Sequence, residues 1–149
     1  MAVSRSKNTI IVREDLRELA GVRLREAEEL LVRGYFAGAM FLGGCALECY
    51  LKLAICRALN LSGLPAIFKL HDLEALLLYS GFDSLLRSEN SKAIKQSFDT
   101  ILDGWKVDGR ESLLYSDPTK RNEKEAKRFL AALRDPKIGV IPWLLKMMS

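Results

Sequence analysis

Leu16, Ala20, Leu24, Ala27 and Leu31 recur at intervals of three and four, a spacing that aligns them along one side of a helix over residues 14–33. Arg17, Glu18, Arg25, Glu28 and Glu29 fall largely on the remaining sides, where they should meet water. Gly34 follows the last periodic residue, the place for a helix stop. The next segment has a different character. From Tyr35 to Leu59 only Glu48, Lys52 and Arg57 interrupt a run of apolar or small residues. A helix apolar on nearly all sides must be enclosed by other helices or by lipid. Met40, Gly44, Leu47, Leu51, Ile55 and Ala58 make one core seam, and Cys45, Glu48, Cys49, Lys52 and Cys56 make a narrower face of mixed polarity. Gly43 and Gly44 each cost on the order of 1 kcal/mol inside a helix. Close approach of a neighbouring backbone would offset that cost, and a symmetry-related copy of the same helix is one candidate.

Beyond Leu59 the pattern predicts shorter elements. Residues 60–70 read as a connection, with Ser62-Gly63 and Pro65 as breakers. A third helix is expected near His71-Asp72 with Leu73, Leu76 and Leu77 turned inward, and Gly81 ends it. Residues 82–90 carry a weak pattern, at most a turn around Leu85-Leu86. A fourth helix is expected over residues 91–105, with Ile94, Phe98, Ile101 and Trp105 in register. Residues 106–119 form the longest irregular stretch, and a loop of that size in a compact domain usually has a task or is mobile. The fifth helix opens at Asn122-x-x-Glu125, a capping-box pattern, and puts Ala126, Phe129, Leu130 and Leu133 inside. Asp135-Pro136 breaks it, and Pro142 can open a short last helix through Trp143 to Met148. Residues 1–12 read as a lead-in, with a short extended piece at Ile10-Ile11-Val12, and residues 13–149 as one domain. The fold class is all-α, an antiparallel up-and-down bundle of four to five helices.

Composition changes this picture little. A chain of 149 residues that is 49% hydrophobic and 28% charged suits a single globular domain. Charge distribution says more than the net +4, because residues 118–149 hold eight basic and three acidic side chains. A positive surface there would favour a polyanion. The plainer alternative is a solvated helix face on which Arg121 and Glu125 pair. Three cysteines, Cys45, Cys49 and Cys56, on one predicted helix and no secretory signal argue for a reducing, cytoplasmic setting. The apolar run from Tyr35 to Leu47 is too short to span a bilayer before Glu48 interrupts it, so no membrane is expected. Three thiols on one rigid helix cannot converge on a tetrahedral metal, so neither metal nor cofactor is expected.

Glu48 and Lys52 stand one helical turn apart in the favourable acid-before-base order. They are either an internal ion pair that sets helix register or the polar floor of a groove shared with Arg110 and His71. His71, the single histidine, starts a helix and reads first as a capping or packing residue. No glycine-rich phosphate loop, nucleophile elbow or paired-carboxylate motif is present in the sequence.

Several points, in order, resemble a HEPN domain (higher eukaryotes and prokaryotes nucleotide-binding). They are Arg25-Glu26-Ala27-Glu28, Gly34-Tyr35, Ala46-x-Glu48-x-x-Leu51-Lys52, His71-Asp72-Leu73, Trp105-x-Val107 before an Arg/Tyr segment, and Val140-x-x-Trp143-Leu144. The likeness spans roughly residues 14 to 146. It implies an all-α bundle that commonly forms homodimers. Some members of that family are ribonucleases in toxin–antitoxin or antiphage systems; others bind nucleotides or act with a nucleotidyltransferase partner. Ribonuclease members carry an Arg, four to six residues and then a His late in the bundle. Here the nearest analogue is Arg110 with Tyr115 in place of the histidine. Tyrosine titrates near 10, so Tyr115 is a poor general base where histidine would serve. The resemblance therefore implies a non-catalytic, homodimeric binding module: Lys106, Arg110 and Tyr115 would border a ligand groove, with Glu48 and Lys52 as its floor. Arginine presents a planar fork to phosphate, and Tyr115 could stack on a base. Arg110 paired to Asp108, Glu111 or Asp117 is the structural alternative. A metal-independent endoribonuclease with a degenerate Arg110/Tyr115 site and a pure protein-assembly domain are the other functional readings.

Overall fold

The computed structural model describes residues 11–105, 113, 115 and 117–149. Its described residues form an all-α fold of seven helices with one two-residue β-ladder. Helix α1 (Arg13–Val32) and helix α2 (Phe36–Ala58) make a hairpin through the turn at Gly34, which adopts φ 84°. The ladder pairs β1 (Ile11–Val12) antiparallel with β2 (Gly63–Leu64), so the start of α1 is tied to the chain just after α2. The extended piece expected before α1 thus finds a partner beyond α2, a pairing that local pattern cannot reveal.

Helix α3 (Leu73–Tyr79) starts two residues later than its His71-Asp72 signal. Asp72 is the cap: its carboxylate accepts from the Glu74 and Ala75 N–H groups at 3.0 and 3.2 Å. The weakly patterned segment after Gly81 is a full short helix, α4 (Phe82–Arg87), because Gly81 at φ 81° turns the chain sharply and buries Phe82. Helix α5 (Lys92–Gly104) is capped by the Ser91 hydroxyl, and α6 (Glu123–Arg134) by the Asn122 side chain at 2.8 Å from the Glu125 N–H. Helix α7 (Val140–Met148) begins two residues before Pro142, which occupies its first turn and therefore breaks no ladder bond.

Helix α2 is the central element and packs on α1, α3, α6 and α7. Every residue from Ala46 to Cys56 is buried, which explains the nearly unbroken apolar run. By length and composition α2 could cross a membrane, yet 78% of its most apolar stretch is enclosed by the other helices. The expected seam holds from Met40 to Ile55, whereas Ala58 emerges into solvent at the helix end. Gly43 and Gly44 serve a different purpose from the one expected. A Cβ on Gly43 would lie 2.8 Å from Leu130 and Leu133 of α6, and one on Gly44 would lie 2.2 Å from the Trp105 ring. Side chains of the same chain, not a neighbouring backbone, fill the space. Cys49 and Cys56 are buried and Cys45 half-buried, and none of the three is in a disulfide. Burial pushes the Cys49 and Cys56 thiols above the ordinary value, and for Cys49 the Lys52 charge works in the opposite sense.

Candidate functional site

The polar face of α2 is where buried charge collects. Glu48 and Lys52 are 4% and 8% exposed, and Lys52 Nζ lies 3.6 Å from Glu48 Oε2. The same oxygen receives a second group: His71 Nδ1 stands 3.0 Å away. A carboxylate can only accept, so the imidazole donates from Nδ1 and its Nε2 is left as the free position. The His71 side chain is 56% exposed, which makes it the outward end of a chain running from buried lysine to buried carboxylate to surface imidazole.

Several local features hold His71 in place. Asp72 caps α3, so the residue before it has little freedom. The Trp105 indole N–H donates to the His71 carbonyl at 3.2 Å. The Trp105 ring is in turn seated where Gly44 has no side chain and stacks on Phe41 with centroids 5.8 Å apart. One glycine on α2 thereby admits the indole that anchors the histidine, and the same helix, one turn on, supplies the carboxylate that orients it.

Glu48 Oε1 has no hydrogen-bond partner among the described residues, although it is fully shielded. A buried carboxylate normally satisfies both oxygens, and leaving one unmet costs on the order of 1–3 kcal/mol. Such a cost is tolerated most readily where a site has work to do.

The structure brings together three of the residues singled out in the sequence, Glu48, Lys52 and His71, the last of which reads first as a capping or packing residue and otherwise as a companion of the pair. Its partner lies 23 positions away, a separation with no periodic signature. Tyr115 is helical and 83% exposed. Lys106 and Arg110 lie outside the described residues, and with them the borders expected for the groove; the chain enters that segment directly from Trp105. Among the described residues no His, Cys, Asp and Glu group could hold a metal ion. Three of the eight basic side chains in residues 118–149 are in ion pairs with described residues: Arg121 meets Glu125, Lys127 meets Glu123 at 2.7 Å, and Arg134 reaches Glu28 on α1 at 3.3 Å. A separate polar depression of about 500 Å³ lies between the end of α5 and the start of α6, lined by Asp103, Lys124, Glu125 and Arg128 over Met40 and Phe129.

No protein-family model, curated protein or solved structure matches the chain.

Proposed function

We propose that this chain is a HEPN-like helical binding module that uses the Glu48–Lys52–His71 cluster, together with Lys106, Arg110 and Tyr115 of the segment that follows Trp105 in the chain, to hold a nucleotide, an RNA strand or a nucleotidyltransferase-type partner. The observation that carries the reading is a deeply buried carboxylate, one oxygen of which has no partner among the described residues while the other fixes a surface imidazole. Core packing alone gives no reason for an acid, an amine and an imidazole to meet at one point. An exposed imidazole and an arginine-bearing segment that starts at its anchor suit phosphate and base recognition. Three cysteines outside any disulfide fit a reducing cytoplasmic setting. A homodimer would use the α1–α2 surface, where Val22, Leu30 and Leu42 floor a groove of about 420 Å³ rimmed by Arg25, Glu26, Glu29 and Arg33. Charges of both signs on one rim allow the patch to complement a copy of itself across a two-fold axis.

The test is RNA and nucleotide binding followed by fluorescence anisotropy on the intact protein and on His71→Ala and Arg110→Ala. Both variants should bind several-fold more weakly; Arg110→Ala should melt within a degree or two of wild type, and His71→Ala several degrees lower, because Glu48 loses its 3.0 Å donor. Isotherms that ignore both substitutions would remove the proposed role. Native mass spectrometry separates the assembly-domain reading, which requires protein partners and no bound nucleotide.

The His71–Glu48 hydrogen bond also favours a second reading, metal-independent RNA cleavage. A carboxylate-oriented imidazole with a free Nε2 is the arrangement of a general base, and it supplies the proton acceptor that Tyr115 would not. Mixed RNA incubated with the protein in EDTA decides it. Cleavage abolished in His71→Ala supports the enzyme, and intact RNA supports the module.

A further inference from the structure

The ends clamped by the β1–β2 ladder carry a second concentration of charge that shares no residue with the Glu48 cluster. Arg13 and Arg17 stand one turn apart at the start of α1, and Arg57 lies in the last turn of α2. With Glu14 they line a depression of about 360 Å³ whose floor is Leu53, itself 2% exposed. Its frame is fixed by backbone. Ile11 pairs with Leu64, Val12 pairs with Gly63, and the Arg13 N–H donates to the Ser62 carbonyl at 3.0 Å.

Three guanidinium groups therefore face one hollow against a single carboxylate. Arg13 uses that carboxylate, with Nε 3.4 Å from Glu14 Oε1. Arg17 and Arg57 form no ion pair among the described residues. Arg57 has an internal reason for its place, since a cation complements the C-terminal end of a helix. Arg13 opposes the helix dipole in the first turn, where Glu14 and Asp15 supply compensating acids. Arg17 and Arg57, without an ion-pair partner among the described residues, are the groups that an added anion would satisfy.

We propose that this hollow is a phosphate-binding site formed by Arg13, Arg17 and Arg57. The planar fork of arginine matches phosphate oxygens two at a time, and groups from two helices can grip one phosphate from opposite sides. The volume lies within the usual range for small-ligand sites. The phosphate can belong to a free anion or to the backbone of a nucleic acid strand, and the chemistry of recognition is the same.

The experiment is calorimetric titration of the intact protein with pyrophosphate and, separately, with a short single-stranded RNA. Arg17→Gln/Arg57→Gln is the test variant, and both side chains are exposed, so folding should survive. Arg87→Gln, on an arginine 79% exposed on α4, is the control. The double variant should lose about tenfold or more in affinity, the scale of a charge-assisted hydrogen bond, and Arg87→Gln should stay within about twofold. Pyrophosphate bound as tightly as RNA identifies a free anion. Tighter RNA binding, with a salt slope reduced by about two in the double variant, identifies a strand backbone. No binding of either probe by wild type at millimolar concentration overturns the site. So does an unchanged affinity in the double variant, or an equal loss in Arg87→Gln.

Discussion

Gly44→Ala isolates the contact on which the His71 geometry depends. In an ordinary helix interior the substitution stabilises by about 1 kcal/mol, because alanine restricts the unfolded chain. Here the new methyl would sit 2.2, 2.3 and 2.6 Å from three atoms of the Trp105 ring, where ordinary contact begins at 3.4 Å. The ring must retreat by about 1 Å, and it is 3% exposed with Phe41 stacked beside it, so it has little room. Overpacking of this kind costs about 1–3 kcal/mol. Displacing the indole also weakens its bond to the His71 carbonyl, for about 1 kcal/mol more. The net expectation is a loss of about 2 kcal/mol, or a melting temperature lower by about 4–8 °C in a domain of this size. Urea unfolding followed by far-ultraviolet circular dichroism measures it without relying on Trp105 as the reporter. In a Trp105→Leu background the ring atoms are gone and the sign should reverse, with Gly44→Ala stabilising by up to about 1 kcal/mol. Equal or greater stability of Gly44→Ala in the wild-type background would refute the packing argument.

Other consequences are equally open to measurement. Lys52→Met leaves the Glu48 carboxylate buried without its nearest cation and should cost about 3 kcal/mol in urea unfolding, whereas Glu48→Leu/Lys52→Met should recover most of that loss; a single variant as stable as wild type would show that the pair is not coupled. Glu89 accepts from the Trp143 indole at 2.8 Å and from the Ser91 N–H at 3.1 Å, which hold its carboxyl below the ordinary 4.5. Its contribution is therefore complete above that value and lost as pH falls through the lowered one, so Glu89→Gln should flatten the acid limb of the stability curve; an identical limb would rule the assignment out. Because burial raises the Cys49 and Cys56 thiols, iodoacetamide at mildly alkaline pH should label half-buried Cys45 first, and early labelling of Cys49 would contradict the packing of α2.

What the chain declares about itself is whatever repeats within a few residues. The two long helices, the Asn122 cap, the Gly34 and Gly81 turns and the Glu48–Lys52 turn all rest on spacings of one to four residues, and helix geometry converts such spacings directly into shared faces. The all-α class follows from them. Local pattern misses α4, whose single buried anchor, Phe82, has no repeat to announce it. It also misassigns the glycines of α2, since a small residue says that something comes close without saying what. Only tertiary structure decided that Trp105 fills the space over Gly44, that Ile11 pairs with Leu64, and that His71 meets Glu48. Those contacts join residues separated by 61, 53 and 23 positions, and no periodicity links partners so far apart. Their cause is the way helices stack around α2, which every element shares and no single segment encodes.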